Sequence, residues 1–528
     1  MKRDLEETKM PRTMATQHPD NANVPAWSNG DIIDGNAEVF EAYFDYETLG
    51  CQEVMWDAEG KDVDTRVVRK LLDKYQDYFR AHIIGKDVFL TYRIPNPRIE
   101  VVEKKVAVET LENIPVAHDV ASSFYKKETT PIFEVILPFT TDCREPLWLF
   151  NYYRRTIAAD EEVRLDESTT AQDWVGSFKP KKINVIPLVE DFASILSVDK
   201  IVTPYIDSVQ PKNLRVFIAR SDPALNYGLF CATLLCKIAL SKLKKLEKAK
   251  QVNIHPIIGA GSKPFRGHLS PENIENFLHE YRGLTTVTIQ SAFRYDYPVE
   301  QVKECVKLLN NMLPNGEPTS IEPDEERILL QILQKFRKRY ESSIELLAPL
   351  INRISTYVPQ RRARKLHIGL FGYSRSVAGI NLPRAIPFSA ALYSLGVPPE
   401  FLGASCLEDL SDQEWRVTEK HYKNMKHDLN AAGAFVSWEN INMLQDNCRK
   451  IADITGMSLE KLETALTKVQ NDLRITEEKL KINLGPKTPT QKRHENFANN
   501  FLIAFAEREE EEARKSLVEA AKLRRCLG

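Results

Sequence analysis

No run of this 528-residue sequence reaches the ~20 consecutive apolar residues that a membrane-spanning helix needs. It also lacks a dominant charge. Its 72 Lys and Arg nearly balance 74 Asp and Glu, leaving a net charge of -2 and a pI near 6.6. That balance removes the broad electrostatic case for nucleic acid or an anionic membrane as partner. The start, Met1-Lys2-Arg3-Asp4-Leu5-Glu6-Glu7, has no apolar core of a secretory signal, and its acids argue against a transit peptide. The eight cysteines include no CxxC pair, so neither a zinc site nor a disulfide scaffold is suggested. Cys231 and Cys236 fall in a helical pattern and read as packed thiols, and the cytoplasm is the expected compartment. What remains, 43% hydrophobic and 28% charged, is ordinary for a well-packed globular chain.

The informative pattern is a short apolar run that ends in polar or charged residues, found at 51–56, 87–92, 132–137, 183–189, 215–219, 254–258, 286–290 and 366–371. Most carry β-branched and apolar residues on consecutive positions, as parallel strands buried on both faces do. Helical patterns such as 65–79, 222–250 and 271–281 lie between them. Strand then helix, eight times, predicts an α/β fold: a (β/α)8 TIM-type barrel with large additional α-helical segments. The chain then forms a single catalytic domain over 1–528. Its barrel is expected at about 48–382, with a helical insertion at 298–357 before the last strand. The helical region 383–528 should pack around the barrel and form subunit contacts. The acidic run at 507–512 reads as a solvated helix with i,i+4 pairs Glu510/Arg514 and Glu511/Lys515.

Catalytic residues of such barrels project from the carboxyl ends of the strands. Here those ends are Glu190-Asp191, Arg220-Ser221-Asp222, the glycine-rich stretch from Gly259 to Gly267, Arg294 beyond Gln290, and Gly372-Tyr373-Ser374-Arg375. Two neighbouring strands thus end in acids and the later ones in glycines and cations. Glu190 and Asp222 suit Mg²⁺ or Mn²⁺, hard cations that take carboxylate oxygens; the alternative is a pair of loop acids capping the next helices. Backbone N–H groups of the glycine-rich stretch, with Arg266, suit a phosphate. Near the amino terminus, Pro11-Arg12-Thr13-Met14-Ala15-Thr16-Gln17-His18-Pro19-Asp20-Asn21 has no periodicity and surrounds one histidine. A lone histidine is usually structural, and His255 and His268 call for the same restraint.

Thr16-Gln17-His18-Pro19-Asp20 resembles the Thr-Ala-His-Pro-Thr element that holds the catalytic histidine of phosphoenolpyruvate carboxylases. Ser221-Asp222 with Gly228 resembles their metal-ligand loop, and Val185-Ile186-Pro187-Leu188-Val189-Glu190 the strand giving the other ligand. Phe265-Arg266-Gly267 looks like the end of their glycine-rich loop, and Leu382-Pro383-Arg384-Ala385-Ile386-Pro387-Phe388 like their phosphate-binding stretch. The element from Arg12 to Ala22 is characteristic of the short archaeal-type class. This sequence departs from the longer form at three places: Leu225 stands where a lysine is expected, Ile258-Gly259-Ala260 replaces His-Gly-Arg, and the second arginine after Ala-Ile-Pro is missing.

The resemblance implies carboxylation of phosphoenolpyruvate by bicarbonate to oxaloacetate and phosphate, replenishing four-carbon acids, in a cytoplasmic homotetramer. It implies His18 and Arg266 as catalytic residues, Glu190 and Asp222 as metal ligands, and Arg384 on the phosphate. Lys263, Arg375 and Arg93 are the candidates to replace the lost cations, and Arg294 completes the expected substrate-binding set. His18 is expected on a mobile segment that closes over the barrel mouth. One rival is another phosphoenolpyruvate or pyruvate barrel, a mutase or lyase, which has no use for His18. The other is a non-catalytic metabolite-binding barrel, which has no use for Glu190, Asp222, His18 and Arg266 together.

Overall fold

A computed structural model describes residues 9–61, 63–365, 367–368, 376–377 and 379–528. Eight parallel strands close a barrel: β1 (Thr13–Ala15), β2 (Glu53–Asp57), β3 (Phe89–Arg93), β4 (Glu134–Leu137), β5 (Asn184–Val189), β6 (Asn213–Ala219), β7 (Asn253–Gly259) and β8 (Thr286–Ile289). Each strand pairs with the next in sequence, and β1 closes the ring, with Met14 opposite both Thr288 and Glu53. Seven of the eight expected strands are present. The eighth is β1 rather than 366–371, so the ring runs from 13 to 289 and is complete without the later segment. Residues 366 and 369–371 lie outside the described residues. β1 escapes notice because three residues, Thr-Met-Ala, have no periodicity; its hydrogen bonds come from the two strands flanking it. The helices Val299–Met312 and Pro323–Ser355 therefore follow the barrel instead of interrupting it.

The barrel interior is layered. At the amino-terminal end, alternate strands supply Glu53, Glu134, Arg215 and Thr286: Arg215 donates to Glu53 at 2.6 and 2.7 Å, to Glu134 at 3.3 Å and to Thr286 at 3.3 Å. Above this buried ion set lies an apolar layer of Met14, Met55, Ile136, Ile186, Phe217 and Ile257. Contributions from alternate strands fill the barrel in layers and leave only the carboxyl end open.

Among the described helices, Ser221–Lys250 is long and apolar enough to cross a membrane, but 89% of its apolar window is buried inside the protein. It holds Cys231 and Cys236, both buried and free. The helix kinks at Gly228, where φ is +85° and a Cβ would come within 2.9 Å of the Tyr340 ring. The Tyr340 hydroxyl donates to the Leu225 carbonyl at 2.6 Å, satisfying an acceptor that the kink releases. Beyond residue 384 the chain is helical, as expected, and its last helix, Glu510–Arg524, returns to the barrel mouth. Glu510 pairs with Arg353 at 3.3 Å and Glu512 with Lys515 at 3.8 Å, in place of the expected i,i+4 pairs.

Candidate active site

The carboxyl ends of the strands surround a cavity of about 100 Å³, sized for a small metabolite. His18, Arg93, Glu190, Asp222, Arg266 and Arg384 all line it. Its wall carries six cationic side chains, Lys61, Arg93, Arg220, Arg266, Arg364 and Arg384, against the four carboxylates Asp57, Glu59, Glu190 and Asp222. That excess of positive charge favours an anionic occupant.

Glu190 follows β5, and Asp222 opens the helix after β6. Glu190 Oε2 accepts from the Phe139 amide at 2.9 Å. Burial, then the nearby Asp222 charge, push the Glu190 carboxyl well above the ordinary carboxylate range, with Arg93 pulling the other way. A cation between Glu190 and Asp222 would remove both penalties, and an all-carboxylate donor pair fits a hard divalent ion.

The opposite wall is built around Arg266, on a short 3-10 turn, Pro264–Arg266. Its guanidinium is fully buried: Nε donates to Ser221 Oγ at 3.2 Å, Nη1 to Asp20 Oδ2 at 2.9 Å and to the Gly528 carbonyl at 2.6 Å, and Nη2 to Gln290 Oε1 at 2.5 Å. These bonds fix the plane of the fork. Gly261 is required beneath it, because a Cβ there would stand 2.9 Å from Arg266 Cζ. Arg220, at the end of β6, fastens the same loop by donating to the Phe265 carbonyl at 2.9 Å and to Tyr281 Oη at 2.9 Å. Arg384 sits at the N-cap of Ala385–Ser394, whose first two residues, Ala385 and Ile386, carry N–H groups before Pro387 and line the cavity. Arginine fork and helix N-terminus together make an anion seat.

His18 follows β1 directly, and its segment is pinned. Arg294 donates to the Thr16 carbonyl at 2.7 Å, Lys61 to the Gln17 carbonyl at 2.8 Å, and the Asp57 amide to Gln17 Oε1 at 3.1 Å. The segment expected to close over the mouth already lies at the cavity wall, just past β1, held by buried bonds. His18 Nδ1 lies 3.0 Å from Thr16 Oγ1. Burial first, then Arg93 and Lys61, hold its pKa well below the ordinary imidazole value, so the ring is neutral.

Two expected substrate residues, Arg294 and Lys263, are not brought to the cavity. Arg294 is buried beside Asp45 and Glu41 and supports the His18 segment from behind. Lys263 lies over the Phe435 ring, 5.0 Å from its centroid, away from the cavity. Arg375 lies outside the described residues. Arg93 does reach the wall, held by a bidentate pair to Asp57 at 2.6 and 2.7 Å and by Glu59 at 3.2 Å. His255 is at the amino-terminal end of the barrel, beside Asn213, and His268 is bound to Asp428.

Sequence reasoning missed Asp57, Glu59 and Lys61, although the strand-end rule that found Glu190 applies equally to β2. Lys61 Nζ is 3.0 Å from Asp57, and burial lowers its pKa against that carboxylate's pull. Arg364 was missed because it follows no barrel strand and arrives from a segment beyond the closed ring.

Fold and site together define a (β/α)8 enzyme with a carboxylate pair and an arginine-lined seat for a small anion. A family model described as "Phosphoenolpyruvate carboxylase" matches residues 10–528. Proteins of that name from Metallosphaera sedula and Caldivirga maquilingensis are each 44% identical over 519 residues, covering 98% of this chain and 99% of the relative. One from Picrophilus torridus is 44% identical over 520 residues, with the same coverage. The chain belongs to the phosphoenolpyruvate carboxylase family, in its short archaeal-type class.

Proposed function

We propose that the chain joins bicarbonate to phosphoenolpyruvate, giving oxaloacetate and phosphate and so replenishing four-carbon acids. The observation that carries this reading is the meeting in one cavity of Glu190, Asp222, Arg266, Arg384 and His18. A mutase or lyase would use the first four, but none of their chemistry calls for a neutral imidazole held at the same mouth.

The geometry supports these roles. Arg384 and the first turn of Ala385–Ser394 seat the phosphoryl group, and Arg266, locked by Asp20 and Gln290, holds positive charge against it during transfer. Glu190 and Asp222 would hold Mg²⁺ or Mn²⁺, which would supply positive charge to stabilise the developing enolate. Bicarbonate oxygen attacks phosphorus, and the enolate of pyruvate leaves. His18, neutral before substrates arrive, takes the proton of carboxyphosphate, which then falls to CO2 and phosphate; the enolate carbon attacks the CO2. The anions also offset the field of Arg93 and Lys61, so His18 becomes more basic when its proton must be taken.

The assembly is a homotetramer in the cytoplasm. Exposed Trp148 and Trp174, at 50% and 75%, with Val163, Leu165 and Val175 nearby in sequence, are surface that association covers. Light scattering on the purified chain tests the assembly. The reaction is tested by following oxaloacetate with a coupled dehydrogenase while bicarbonate and Mg²⁺ are withheld in turn. Oxaloacetate that forms without bicarbonate, or none under any condition, would end this reading.

A further inference from the structure

Away from the catalytic cavity, His268, His427 and Asp428 bring three metal-binding donor atoms within 4.8 Å of one another. His268 ends the loop that carries Arg266; His427 and Asp428 lie on the helix Met425–Gly433. We propose that these residues form a second, zinc-type divalent metal site that fastens the Arg266 loop to the C-terminal helices.

The donors are already oriented by partners of the kind that surround metal ligands. His268 Nδ1 lies 2.6 Å from Asp428 Oδ1. Asp428 Oδ2 accepts from the Tyr422 hydroxyl at 2.9 Å. His427 Nε2 lies 2.9 Å from Asn273 Oδ1 and 3.4 Å from Asn276 Nδ2; the shorter contact, to an acceptor, favours the tautomer with its proton there and a lone pair on Nδ1. The His268 backbone is held in the left-handed region, φ +65°, with its carbonyl accepting from Asn273 Nδ2 at 2.9 Å. A non-glycine residue pays for that conformation only when its surroundings fix it. Asn273 thus touches both histidines, and the buried Asp428 closes the set.

Two imidazoles and one carboxylate select Zn²⁺ or Co²⁺ over Mg²⁺, which takes oxygen donors. The chemistry therefore differs from that of the Glu190 and Asp222 pair. Bonds of about 2.1 Å place ligand atoms roughly 3.4 Å apart, so donors separated by up to 4.8 Å must draw in while the His268–Asp428 contact at 2.6 Å must open to admit the ion. His427 is exposed, and that exposure gives the ion its entry path. The proton between His268 and Asp428 leaves to solvent as the ion binds. Solvent fills the remaining coordination.

The test uses the full chain carrying Glu190→Gln, stripped with chelator, so that metal at the catalytic pair does not report. Zn²⁺ is titrated against a chromophoric chelator, and Co²⁺ is followed by its visible absorption. One equivalent should bind, millimolar Mg²⁺ should not displace it, and adding His427→Gln should weaken it at least about tenfold and remove the Co²⁺ bands. Circular dichroism of that variant, changed at an exposed side chain, checks the fold. Equal zinc affinity with and without His427, absence of a bound equivalent, or displacement by Mg²⁺ would each overturn the site. None of these outcomes depends on the carboxylation reading.

Discussion

Asp20 and Arg266 are 246 residues apart in sequence and form a fully buried ion pair at 2.9 Å. The second Asp20 oxygen accepts from the Ala292 amide at 2.7 Å, at the end of β8. Asp20 stands two residues after His18, so one carboxylate ties the segment of the proposed base to the arginine of the proposed phosphate wall. The element that this segment resembles carries threonine there, which has no charge to pair.

Replacing Asp20 by Asn keeps the shape and the Ala292 bond but leaves the guanidinium without its counter-ion. We expect kcat/KM to fall by about tenfold to a hundredfold, with a lower melting temperature. Steady-state kinetics beside thermal unfolding checks this, and unchanged kcat/KM would detach Asp20 from the positioning of Arg266.

Glu190→Gln and Asp222→Asn are near-isosteric changes at the cavity wall. Each should abolish turnover and weaken Mn²⁺ binding while leaving the circular dichroism spectrum unchanged. Near-normal activity at saturating Mg²⁺ in either variant refutes the metal assignment.

His18→Asn separates the two halves of the reaction. Attack of bicarbonate on phosphorus needs the arginines and the carboxylate pair, so the variant should still release phosphate in a bicarbonate-dependent way. Its stranded enolate is protonated to pyruvate. Phosphate, pyruvate and oxaloacetate are measured together; oxaloacetate made in step with phosphate would remove His18 from carboxylation.

His494 provides a pH test remote from the cavity. It is buried, and burial, then Arg524 and Lys263, hold its pKa well below the ordinary value of 6.5. Above pH 6.5 neither the folded nor the unfolded state is protonated there, and stability is intact. Below it the unfolded chain takes up a proton that the native state refuses, so stability falls as pH drops, by up to about 1.4 kcal/mol per pH unit for this group. His494→Gln should flatten the decline in denaturation midpoint between pH 6 and 5; an identical slope would show that His494 titrates equally in both states.

Seven strands, the strand-end carboxylates Glu190 and Asp222 and the Arg266 loop were legible in the sequence for one reason. A parallel strand buried on both faces must be apolar at consecutive positions, and its functional group must follow at the carboxyl end. The His18 element was legible only by resemblance, because its residues have no periodicity. Strand β1 was hidden because three residues are too few to show a pattern, and its pairing with β8 and β2 depends on chain ends that meet only in the closed ring. Long-range packing alone decided the division of labour among the arginines: Arg266 and Arg384 line the cavity, while Arg294 is consumed by Asp45 and Glu41 behind it. Composition sees the same guanidinium in each. Its role is set by which carboxylates, brought from distant parts of the chain, are buried beside it.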